Sequence, residues 1–177
     1  LKALFKTELA DTSRANVLNK LSILYFYVNP DSSLQMALQL KELSHRINYK
    51  QGEADALNLI ASHYLSRGNK DSVNIFYEQA INLYHQAGNS QREAMVLGNL
   101  GLLYQNQELH LKALPCFQQC LNLRLLKEDS TEVISTLLAI GATHRAQKDN
   151  ELALKYYQTG LNLSRKKEDM AQVATSL

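Results

Sequence analysis

Two cysteines and five histidines are the residues of this chain best suited to metal or nucleophilic chemistry. Cys116 and Cys120 lie one helical turn apart, so a helix could offer both thiolates to one metal ion. Tetrahedral zinc takes four ligands, usually from loops with shorter cysteine spacing, and no second pair completes such a set. Two cysteines on one helix also point away from an intrachain disulfide, because side-chain direction matters as much as distance. Cys120 reads instead as a small packing residue. His45, His63, His85, His110 and His144 contain no His-Glu-x-x-His arrangement of a zinc hydrolase. His63 follows the small Ala61 on a helix and is expected at a surface or groove. The glycines Gly98 and Gly101 fall inside a helical pattern, where they cannot form a phosphate cradle. Arg165-Lys166-Lys167 precedes Glu168-Asp169, the pattern of a solvated helix end whose cations suit the dipole. These residues predict no catalytic, metal or cofactor site, and no enzyme in this segment.

Composition narrows what must hold these residues. The chain has 177 residues, 45% hydrophobic and 20% charged, with a formal net charge of +2. That is a globular composition without the basic bias of a nucleic-acid surface. Seven glycines and two prolines are too few turn residues for an all-β sandwich. No run of apolar residues is long enough to span a membrane.

A shift of 40 residues superimposes the chain on itself. Ala54-Asp55-Ala56-Leu57 falls over Ala94-Met95-Val96-Leu97 and Ile134-Ser135-Thr136-Leu137. Tyr64, Tyr104 and His144 share a column, which makes core packing the reading of His144. Tyr77, Phe117 and Tyr157 share another. The units are 15–53 (divergent, one residue short), 54–93, 94–133 and 134–173. Residues 1–14 precede them as a helical cap, and 174–177 open a further unit.

Within each unit, apolar residues recur at helical spacing on both sides of a polar break, so each unit predicts two helices. The breaks are Asn29–Ser32, Arg67–Lys70, Gln105–His110 and Gln147–Asn150. Ser90 with Glu93, Asp129 with Glu132 and Asp169 with Gln172 have capping-box spacing and predict helix starts. Pro115 is expected near the first turn of its helix, where a missing N–H is tolerated. Ala61, Gly101 and Gly141 in the first helix, and Ala80, Cys120 and Gly160 in the second, mark close helix crossings. One such pair cannot bury its own apolar face, but a stack can.

These columns resemble the tetratricopeptide repeat. Leu97, Leu100-Gly101, Tyr104, Ala113, Phe117, Cys120 and Leu121 follow the family signature. So do Leu137, Ile140-Gly141, His144, Ala153, Tyr157, Gly160 and Leu161, and Leu57, Ile60-Ala61, Tyr64, Gly68, Tyr77, Ala80 and Ile81. The unit is 40 residues long, and the variety resembles peptide-binding scaffolds and sensors. The stretch from Asp11-Thr12-Ser13-Arg14 to Asn29-Pro30-Asp31-Ser32 looks like the opening of a Bacteroidetes-like bacterial sensor ectodomain.

The resemblance implies an all-α, right-handed superhelical solenoid of antiparallel helix pairs. The first helix of each unit would line a concave groove. Candidate groove residues are Asn19 in the first unit, then Asp55, Asn58, Ser62 and Leu65 in the second. The third unit supplies Met95, Asn99, Leu102, Gln105 and Asn106, and the fourth Leu138 and Arg145. Amides of this kind can bond both the N–H and C=O of an extended peptide. The implied partner is a protein or peptide, with no nucleic acid, and the implied role is sensing or interaction within a larger bacterial signalling protein. Self-association and small-molecule sensing are the alternatives. The sensor resemblance favours the periplasm, with the cytoplasm as alternative. Phe26 and Tyr27 are expected to pack against residues 1–9.

Overall fold

Gly68, Glu108 and Lys148, each forty residues after the last, all take left-handed backbone with φ of 75°, 60° and 65°. Asn48 and Gly88, at the other turn of the unit, do the same with φ of 54° and 67°. Left-handed residues terminate helices by turning the chain away from the i→i−4 ladder. They punctuate this chain into helix pairs. The structure, a computed structural model, describes residues 11–69, 73–126 and 130–175, with side chains through Lys167, Ser130 apart. Residues 1–9, Lys70 and Asp129 therefore lie outside the described residues, and with them the expected cap on Phe26 and Tyr27.

The described residues form eight helices and no strand. They are α1 (Asp11–Tyr25), α2 (Pro30–Arg46), α3 (Lys50–Ser66), α4 (Val73–Gln86), α5 (Ser90–Asn106), α6 (His110–Leu125), α7 (Ser130–Ala146) and α8 (Asn150–Thr175). Helices α3, α5 and α7 end at residues forty apart. The chain divides into two units, one up to Val96 and one from Leu97.

In the first unit α1 packs on α2, α2 on α3, and α3 on α4. Ala15, Leu18, Ala37, Leu40, Leu43, Ala56, Leu59 and Ile60 form its core, flanked by Tyr49, Tyr64 and Phe76. Asn29 starts α2 by accepting the Ser32 N–H at 3.1 Å, and Pro30 occupies the first helical position, where its missing N–H is harmless. Ser33, Ala37, Leu40 and Ser44 of α2 stand forty residues before Val73, Tyr77, Ala80 and Tyr84, and all eight are buried. The second helix of the divergent repeat therefore keeps full register. Its missing residue falls in the turn before Pro30, and Lys41 and Glu42 stay out of the core. His45 lies 3.2 Å from Glu53, and His85 lies 3.2 Å from Glu93, the same clasp one repeat later.

In the second unit α6 packs on α7 and α7 on α8. A Cβ on Gly101 would lie 2.6 Å from the Phe117 ring, and one on Gly141 would lie 2.7 Å from the Tyr157 ring. Those crossings need glycine. Gly160 does not belong with them, because an added Cβ would meet Leu138 at an ordinary 3.6 Å.

Three helix-end expectations need correction. The N–H of Arg92 is capped by Asn89 Oδ1 at 3.1 Å, so Asn89 rather than Ser90 caps α5. α8 passes through Asp169 and Gln172 without a break, so that capping-box spacing marks no helix start. Pro115 sits in the second turn of α6, not the first. Its ring takes an exposed position, and the carbonyl that loses its N–H belongs to the exposed Leu111.

Candidate functional site

In the first unit, α1 and α3 lie side by side and a carboxylate ties them. Asn19 Nδ2 donates to Asp55 Oδ2 at 2.7 Å. Tyr84 of α4 donates its hydroxyl to Asp55 Oδ1 at 2.5 Å, and Arg92 Nη1 lies 3.3 Å from the same oxygen. Asp55 is buried. Burial raises its pKa, opposed by the Tyr84 hydrogen bond, Arg92 and Asn19. The Tyr84 hydroxyl is pushed up in turn, by burial and by the neighbouring acid. Asp55 is thus a buried joint between helices instead of a groove residue, and Asn19 is committed to it. The sequence carried one signal of this: Asp55 is the only acid in a column otherwise held by Asn16, Met95, Ser135 and Thr175.

Farther along α3, Asn58 and Ser62 are half-buried and Leu65 is exposed near the helix end. Ser62 Oγ donates to the Asn58 carbonyl at 2.9 Å, while Asn58 Oδ1 is buried without a hydrogen-bond partner. His63 is not at the surface, with only 1% exposure. Ser22 Oγ donates to the Ser33 carbonyl at 2.9 Å, and Ser33 Oγ donates to the Ser22 carbonyl at 2.6 Å. With the Ser33 proton so used, His63 Nε2, 2.8 Å from Ser33 Oγ, must be the donor there. Its Nδ1 has no partner, and the Phe26 ring stands 4.6 Å away. Burial lowers the His63 pKa, Arg67 lowers it further, and Asp31 partly opposes them. Sequence reasoning missed this network because neither serine lies near His63 in the chain.

In the second unit, Gln105 Nε2 of α5 donates to Thr143 Oγ1 of α7 at 3.1 Å, and that hydroxyl donates to the Ala139 carbonyl at 2.8 Å. Gln105 therefore spends its amide on holding the two first helices together. Leu102 of α5 is 46% exposed and Leu138 of α7 45%. Asn99 is half-buried, and Asn106 and Arg145 are exposed. Exposed leucines on helices that also carry amides and a guanidinium offer groups for both the apolar side chains and the polar backbone of a peptide. Met95, on the part of α5 in the first unit, is half-buried. His144 stacks on Tyr156 at 5.6 Å, as its aromatic column predicts.

Residues 92–166 match the tetratricopeptide repeat family. Solved structures carry the fold over most of the chain. BtubC from P. vanneervenii superposes with a TM-score of 0.81 at 17% identity, over 91% of this chain and 67% of that one. Aspartyl phosphate phosphatase F from Bacillus subtilis gives 0.81 at 19% identity, over 92% and 43%. A signal transduction ATPase with a tetratricopeptide repeat sensor, from Pyrococcus horikoshii, gives 0.79 at 13% identity, over 94% and 26%. The chain thus spans less than half the length of the last two. No curated protein sequence matches it.

The repeat fold is that of a protein-interaction scaffold, and Cys120 has a packing role within it. Cys120 is buried in α6, with Sγ 3.8 Å from Thr136 Oγ1, and burial raises its pKa. Among the described residues no three His, Cys, Asp or Glu side chains gather as a metal site. No helix of the described residues is long and apolar enough to cross a membrane.

Proposed function

We propose that this chain is a peptide- or protein-binding scaffold, serving as the sensing segment of a larger bacterial signal-transduction protein. One observation carries the reading. Leu102 and Leu138 stay half exposed on first helices whose register the Gln105–Thr143 bond fixes. On soluble proteins, contiguous exposed apolar surface rimmed by polar residues marks an interaction site. Asn99 and Asn106 stand about one turn from Leu102 on α5, and Arg145 two turns from Leu138 on α7, groups able to bond a peptide backbone and its carboxylates. The sensor role draws support from the likeness to a signal transduction ATPase whose repeats act as its sensor. The compartment we favour is extracytoplasmic, from the sensor-like opening sequence. A reporter active only outside the cytoplasm, fused to the full-length protein, tests that part.

Binding is tested by panning a random-peptide display library against the intact chain and measuring the enriched peptides by calorimetry. Leu102→Ala with Leu138→Ala should weaken them at least tenfold and leave thermal unfolding within a few degrees of the parent. Peptides that bind the double variant equally well would place the site elsewhere. Gln105 is a poor probe, because its replacement also frees α5 from α7.

A further inference from the structure

The turn from α1 to α2 reaches the interior of the first unit through one side chain. Among residues 23–30, Phe26 is half-buried and all the others are exposed. Tyr27 is 90% exposed and Val28 81%. The turn's backbone bonds stay local: the Phe26 N–H donates to the Ile23 carbonyl, and the Val28 and Asn29 N–H groups donate to the Tyr25 carbonyl. The Phe26 ring stands 4.6 Å from the His63 ring of α3, and Tyr27 sets its ring edge-on to Phe26 at 5.0 Å. The reciprocal Ser22–Ser33 bonds that join α1 to α2 flank the turn and do not involve Phe26. His63 itself has a place for one ring proton only. Nε2 carries it, facing Ser33 Oγ, and the buried Nδ1 has no partner. A second proton would create a donor with no acceptor where water does not reach, a costly arrangement. The charged groups that act on the ring are Arg67, just past α3, which opposes that proton, and Asp31 of α2, which favours it and is itself paired with Arg67. Among the described residues α1 and α4 bring no charge to it.

We propose that His63 is the proton sensor of an acid-released turn: when its ring takes a second proton, Phe26 leaves the ring and residues 25–29 open. The proton comes from solvent and stays on Nδ1, which water reaches once Phe26 has gone. Loss of the proton lets the ring and the turn close again. The turn is the part that yields because withdrawing Phe26 breaks none of the bonds between α1 and α2. The open form presents Phe26, Tyr27 and Val28 together as an apolar segment, so acid governs when that segment can meet a partner. Burial keeps the closed ring neutral below the ordinary histidine value of about 6.5. Below that value the open form binds the proton and the closed form does not, so opening rises by up to about tenfold per pH unit.

The test is amide hydrogen exchange of the intact chain at pH 7.5 and 5.5, corrected for the intrinsic pH dependence of exchange. Local opening shows as faster exchange confined to the segment that opens. The amides of Val28 and Asn29 should speed up about tenfold at the lower pH, while those of α4, in the same unit, should not change. His63→Gln keeps a donor for Ser33 without a titrating ring and should abolish the effect. His85→Gln, which replaces an exposed histidine, should leave it intact. In the parent, the acceleration should follow the titration of the His63 ring protons read by NMR, a comparison that needs no variant. Turn amides indifferent to pH overturn the proposal. So does an acceleration shared equally by α4, which is opening of the whole unit, or one that survives His63→Gln or departs from the His63 titration.

Discussion

Tyr84 hands its hydroxyl proton toward a carboxylate, Asp55, from which water is almost wholly excluded. Tyr84→Phe takes one donor from that acid without offering a substitute. A buried group left short of a partner costs roughly 1–3 kcal/mol, and denaturant unfolding at neutral pH should register a loss of that size. The acid also sets a pH slope. Its folded pKa lies above the unfolded value, so its contribution is fully present below the ordinary carboxylate range. That contribution is lost as pH rises through the folded value. Asp55→Asn should remove this slope, and a slope unchanged in the variant would mean another group titrates.

His63 gives a dependence of opposite sign. Its folded pKa is lowered, so the neutral ring contributes stability above about 6.5, the ordinary histidine value, and loses it as pH falls below. A charged ring would have to leave Nδ1–H without an acceptor, close to Arg67. Denaturation midpoints of the parent should drop between neutral and mildly acid pH. The drop should shrink in His63→Gln.

Two glycines should respond differently to one methyl group. Gly101→Ala drives a Cβ into the Phe117 ring and is expected to cost about 1–3 kcal/mol, as overpacking does. Gly160→Ala meets only an ordinary contact and should be neutral or stabilising by up to about 1 kcal/mol from helix propensity. Thermal melts of the pair decide the matter, and equal effects would contradict the packing described.

Glu108 holds a left-handed conformation in a turn where the equivalent residue of the previous repeat is Gly68. Its side chain is exposed, so little is lost with it. Glu108→Gly should raise stability by about 0.5–1 kcal/mol, read as an increased denaturant midpoint.

Helix pairs and their turns were legible in the sequence because the same columns recur: Leu57, Leu97 and Leu137 are all buried, and α3, α5 and α7 end forty residues apart. Repetition separates what packs from what varies. It says less about the varying positions. Asp55 and His63 vary between repeats and so resembled groove or surface residues, yet each is buried by partners 29 to 36 residues away, or 30 in the case of Ser33. The Asp169 signal failed for a related reason. Capping-box spacing proposes a helix start, but without a turn before it α8 simply runs on. Leu102 and Leu138, which no structural column claims, are each about half exposed.

The joints between successive helix pairs differ in chemistry. Tyr84 meets Arg92 beside Asp55, while at the same two positions one repeat later Arg124 meets Glu132. A chain of near-identical units risks docking a helix one unit out of place while it folds. Here such a slip would bring Arg124 against Arg92, two cations, and set Glu132 beside Tyr84 and the carboxylate it bonds. Like charges at close range repel. The unequal joints therefore act as keyed connectors that let each repeat recognise its proper neighbour, and they give the array an order that its shared columns alone would not impose.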